Sequence, residues 1–219
     1  MNVSTEILIA LFLVLCLMLA ASSRMLHCIR IVALQGLLLG LLPFAGQEAI
    51  HFSQYAASGF NIAVKALVLP YLLCLAMKKA EVKRELEPLV GYATSLVIVL
   101  CGFAIAFAVG RKLDAGSGLN LILPTSLSVM FTGLFIVMAR KKAITQAIGF
   151  LTFENGIALF GNGMMIECGL AVELGILLDV FVLVFVMGIA VMRINRAFEH
   201  IDTDKLNLLG EQSAGGAAK

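Results

Sequence analysis

Residues 143–166 read AITQAIGFLTFENGIALFGNGMMI, a run long enough to cross a hydrocarbon core and charged only at Glu154. A charge near the bilayer centre costs at least ~2.5 kcal/mol on insertion scales, so a carboxyl kept there must face protein or water. Counted from the basic residues Arg140, Lys141 and Lys142, Glu154 lies about 18 Å along a helix at 1.5 Å per residue, near mid-membrane. Lys65, Glu173 and Asp179 share this situation. The last two occupy one apolar segment, Glu173-Leu174-Gly175-Ile176-Leu177-Leu178-Asp179. Each is a functional candidate by default, because selection for solubility in lipid alone would have removed it.

The surroundings of these residues fix the class. The chain is 61% hydrophobic, only 14% charged and without Trp, a composition no soluble domain tolerates on its surface. Apolar runs near 4–23, 28–46, 58–77, 89–110, 119–139, 143–166 and 169–192 predict an all-α integral membrane protein of about seven transmembrane helices. Residues 1–200 form a polytopic membrane domain, and 201–219 a polar tail rich in Gly, Ala and Ser at its extremity. The first run follows Glu6 rather than a basic segment, which favours a retained helix over a removed signal peptide. Pro70 falls inside the third run, where a missing N–H favours a kink.

Lys and Arg accumulate on cytoplasmic loops. Placing the first, third and fifth loops and the C-terminus on one side gathers Arg24, Arg30, Lys78, Lys79, Lys83, Arg84, Arg140, Lys141, Lys142, Arg193, Arg196, Lys205 and Lys219 there. Arg111 and Lys112 remain opposite, and Lys65 lies within a helix. The expectation is a multi-pass protein of a bacterial or archaeal cell (inner) membrane, N-terminus outside and C-terminus cytoplasmic. The net charge of +2 follows from this topology and implies no nucleic-acid partner.

A weak internal repeat lays Leu34-Gln35-Gly36 on Phe153-Glu154-Asn155, and Ala63-Val64-Lys65-Ala66-Leu67 on Ala171-Val172-Glu173-Leu174-Gly175. It suggests two parallel three-helix units joined by an extra helix. The chemistry expected of this pattern is proton handling. A dry carboxyl favours its neutral form and a neighbouring lysine opposes that, so Lys65 suits a counter-ion or relay member. Asn155, Gln35, Asn162, Thr152 and Thr132 supply polar support for a hydrated path. The plain alternatives are a protonated Glu154 hydrogen-bonded between helices, Glu173 reaching the interface and Lys65 snorkelling. Gly156, Gly161 and Gly163 read as helix-packing contacts, and His27 as solvated. Cys16, Cys28, Cys74 and Cys101 read as small buried hydrophobes, since no CxxC exists. No metal set, cofactor motif or catalytic domain is evident, so any redox chemistry belongs to other subunits.

Four segments in order, Lys65-Ala66-Leu67-Val68-Leu69-Pro70, Glu154-Asn155-Gly156, the 173–179 segment, and Asp204-Lys205-Leu206-Asn207-Leu208-Leu209-Gly210, resemble component E of hydrogenase-4-type membrane complexes. That family is related to the K subunit of respiratory complex I and the C subunit of multisubunit cation/proton antiporters. The resemblance implies a small membrane-arm subunit, partnered by other membrane subunits including large antiporter-like ones, that couples electron transfer to proton or sodium movement. It implies no cofactor and no catalytic centre of its own. It also implies that Glu154 and Glu173 match the acidic pair of the K-type subunits, whereas the first repeat carries Gln35 and Lys65 instead. A component of a cation/proton antiporter and a non-transporting assembly subunit are the alternatives.

Overall fold

The computed structural model describes residues 3–46, 59, 62–79, 89–113, 121–163 and 188. Every element among them is helical: α1 (Val3–Ala21), α2 (Met25–Gly46), a π-helical segment (Ala63–Val68) running directly into α3 (Leu69–Lys79), α4 (Tyr92–Leu113), α5 (Ile122–Ala139) and α6 (Ala143–Gly163). Met25–Leu42, Tyr92–Leu113, Ile122–Ala139 and Ala143–Gly161 are long and apolar enough to cross a membrane, and Thr5–Ala21 is a shorter apolar helix. The run at 169–192, with Glu173 and Asp179, and the tail at 201–219 lie outside the described residues.

The membrane-length helices form from runs that set no face aside for water. Their outward faces carry large apolar side chains, as in Ile7, Leu11, Val14 and Met18 on α1 and Val97, Leu100, Ile105 and Val109 on α4. Their polar side chains turn inward instead: Gln35, Ser95, Thr125, Ser128, Thr132 and Thr152 are all buried. This inside-out distribution is what lipid demands and water forbids.

Helices α5 and α6 form the most extensive contact. Their close approach depends on glycine: a Cβ on Gly133 would lie 2.3 Å from the Phe153 amide nitrogen, and one on Gly149 would lie 2.9 Å from the Gly133 carbonyl oxygen. Without a hydrophobic driving force between helices in lipid, such backbone proximity supplies the packing energy. Helix α1 lies against α2, α4 and α5, while α2 also packs on α6 and on the π-helical segment.

Several expectations are corrected. The fourth helix begins at Tyr92 rather than near 89, because the Leu89 amide donates to the Ala139 carbonyl (3.1 Å) and holds that stretch out of helix. It also continues through Arg111 and Lys112, past the expected end near 110. Cations at a helix C-terminus complement its dipole, and long side chains reach the interface from there. Cys101 is exposed on the outer face of α4 rather than buried, while Cys16 and Cys28 are buried as read and Cys74 is half-buried. The deviation attributed to Pro70 takes the form of the π-helical segment before it. There the Leu69 amide reaches back to Val64, and the widened turn accommodates a ring that would otherwise crowd the preceding carbonyls.

Candidate functional site

Lys65 and Glu154, 89 positions apart, meet inside the bundle. Lys65 Nζ donates to Glu154 Oε1 at 2.6 Å, and the two side chains are 6% and 3% exposed. The pair sits near the middle of α6, remote from either end of the helix. Two local features bring the lysine there. The π-helical turn, a form that recurs at functional sites, carries Lys65 at its third position. The pair Gly36 and Gly40, one helical turn apart on α2, opens a groove for that turn: a Cβ on Gly36 would lie 2.8 Å from Lys65 Cβ, and one on Gly40 would lie 2.1 Å from Ile62 Cγ1. On the other side, the approach of Gly133 to Phe153 sets the level of Glu154.

Around the pair lies a neutral polar layer. Gln35, fully buried on α2, points its Nε2 at Cys16 Sγ on α1 (3.5 Å), and Cys16 lies beside Thr132 on α5. Thr132 Oγ1 donates to the Ser128 carbonyl (2.8 Å) and Thr152 Oγ1 to the Ile148 carbonyl (3.0 Å). Asn155 is buried beside Glu154. The backbone of Asn162 belongs to α6, but its side chain, like Glu173 and Asp179, lies outside the described residues. No group of three or more His, Cys, Asp or Glu among the described residues could hold a metal ion.

Arg140, one of the basic residues of the fifth loop, does not extend into water. It is 2% exposed: its Nη2 donates to the Ala20 carbonyl at the end of α1 (3.0 Å), Nη1 to the Val90 carbonyl (3.4 Å), and its guanidinium stacks 4.5 Å from the Tyr92 ring centre. It thereby gathers the end of α1, the start of α4 and the end of α5 on one face of the bundle. The signal was present in the sequence. A link of only Arg140, Lys141 and Lys142 between two membrane-length helices is too short to send all its side chains into water. Replacing Arg140 by Lys keeps the charge but loses the planar fork that spans two carbonyls, and should cost about 1–3 kcal/mol of stability in detergent unfolding. An unchanged midpoint would mean that a single point charge suffices.

The uncharacterized protein Rv0085 of Mycobacterium tuberculosis is 37% identical to this chain over 188 residues, which is 83% of this chain and 84% of the relative. The chain belongs to the same family as that protein. No family model matches it, and no solved structure matches it.

Proposed function

We propose that this chain is a small membrane-arm subunit of a hydrogenase-like or complex-I-like assembly, in which Lys65 and Glu154 carry an ion step coupled to electron transfer elsewhere in the complex. The observation that carries this reading is the buried lysine–glutamate pair near the middle of α6. At this separation a proton can pass from Lys65 to Glu154, leaving a neutral amine beside a neutral acid, without changing the net charge of the site. In a dry interior the desolvation penalty of two charges offsets much of their attraction, a close balance of opposing terms. A charge arriving nearby, on Glu173, on Asp179 or on a neighbouring subunit, tips that balance. This is the property a relay station requires.

In the full proposal the chain crosses a cell (inner) membrane about seven times, as two parallel three-helix units and an extra helix, with its N-terminus outside. Lys65 of the first unit then serves Glu154 of the second. The test is Glu154→Gln in the intact complex reconstituted in vesicles. Coupled ion movement is expected to fall at least about tenfold, a barrier rise of ~1.4 kcal/mol, while electron transfer to a soluble acceptor persists. Unchanged coupling would remove the relay role and leave the pair as interhelical glue in an assembly subunit. Polypeptides co-purifying in mild detergent separate the remaining alternative: a nickel-iron or molybdenum partner belongs to the proposed assembly, its absence to a cation/proton antiporter.

A further inference from the structure

Helix α5 carries Thr125, Ser128 and Thr132 at spacings of three and four, hence on one face, and all are fully buried. The hydroxyls of the latter two spend their hydrogens on their own helix, Ser128 Oγ donating to the Pro124 carbonyl (2.7 Å) and Thr132 Oγ1 to that of Ser128. Their lone pairs are left to accept from elsewhere. At the inner end of this stripe stand Cys16 and Gln35. Among the buried side-chain atoms without a hydrogen-bond partner among the described residues are two that sit at its two ends: Thr125 Oγ1, near the start of α5, and Gln35 Oε1, near the middle of α2. Buried polar groups are almost always satisfied by protein or by ordered water, and water bridges require several polar groups converging on one place. The stripe supplies such a series.

Its inner end lies at the level of the ion pair. Gln35 is followed by Gly36, which meets Lys65, and Thr132 is followed by Gly133, which meets the residue before Glu154. We infer that Thr125, Ser128, Thr132, Cys16 and Gln35 line a file of water molecules that enters from the face where α5 begins, opposite Arg140, and ends beside the Lys65–Glu154 layer. That the file delivers protons to the pair rests on the functional reading above. That water occupies it rests on the orphaned atoms alone. The residues divide accordingly: Lys65 and Glu154 hold the charge, and the hydroxyl stripe and Gln35 position water.

The thiol of Cys16 is a built-in reporter. Its S–H stretching band is obtained as the difference between wild-type and Cys16→Ala protein. On transfer of the full-length protein to D2O that band should give way to an S–D band within minutes, while the backbone amides of α1 and α5 stay protected. Thr125→Val and Ser128→Ala should each slow this at least about tenfold, the scale of one water-mediated hydrogen bond, and Thr125→Ser should restore it. Leu134→Ala, on the outward face of α5, should leave the rate unchanged. A wild-type thiol that keeps its proton for hours, or variants that exchange at the wild-type rate, would overturn the file. Exchange reads water and not transport, so this outcome is independent of whether Glu154→Gln abolishes coupling.

Discussion

Lys65→Met on its own is expected to destabilise the folded bundle by about 3–5 kcal/mol, and Glu154→Leu on its own by a similar amount, because each removes the short-range attraction that offsets burial of the other charge. For a chain of this length that is a fall in unfolding midpoint of roughly 10 °C. The double variant Lys65→Met/Glu154→Leu should return to near the wild-type midpoint, since exchanging a buried ion pair for packed apolar groups is commonly neutral or stabilising. Heating the purified protein in mild detergent measures all three. The pattern matters more than any one value. A pair retained for stability would leave the double variant as damaged as the singles, whereas a pair retained for ion movement would leave the double stable and inactive. The reversed pair, Lys65→Glu/Glu154→Lys, separates the two further, because it keeps the attraction and displaces each group from its place on the path. If both single variants unfolded at the wild-type midpoint, Lys65 and Glu154 would not be a buried pair at all.

The helices were legible because a bilayer imposes length and apolarity together. The run at 143–166 and the helix Ala143–Gly163 agree at their start, and the inward placement of Glu154 and Lys65 followed from the cost of setting either against lipid. What one sequence withheld was pairing. Nothing in the spacing of positions 65 and 154 says that they touch; that depends on a π-helical turn and on Gly36 and Gly40 seating it, a three-helix arrangement with no linear signature. Gln35 was flagged as polar support, yet its contact with Cys16 depends on α1 and α2 folding back on each other across the short Ser22–Arg24 link. Cys16 itself was read only as a small apolar filler. Arg140 stands in the link between α5 and α6, as its charge suggests, but its burial is not read from charge, which ignores how short that link is. Glu173 and Asp179 rest on the sequence argument alone.

Gly133→Ala is expected to be the most damaging single-methyl change in the described bundle. The added carbon would meet Phe153 N at 2.3 Å, Phe153 Cα at 2.6 Å and the Gly149 carbonyl oxygen at 2.7 Å, all backbone atoms with no rotamer to give way. Helices α5 and α6 must then part by on the order of 1 Å, an overpacking cost of about 1–3 kcal/mol or more. Gly102→Ala provides the contrast: its new carbon would meet the ring of Phe131 at 2.2 Å, a side chain on the rim of the bundle that can swing away. Gly91→Ala, whose new carbon would meet Thr94 Oγ1 at 4.0 Å and nothing nearer among the described residues, should be nearly silent. The functional consequence follows from where Gly133 presses. Phe153 immediately precedes Glu154, so a displaced α6 carries the carboxylate off Lys65, and a pair held at 2.6 Å does not tolerate such a shift. Gly133→Ala should therefore lower coupled ion movement although both charged residues are present, and Gly102→Ala should lose stability with coupling intact. Equal coupling in the two variants, measured in the same vesicles, would mean that the spacing of α5 and α6 does not set the geometry of the pair.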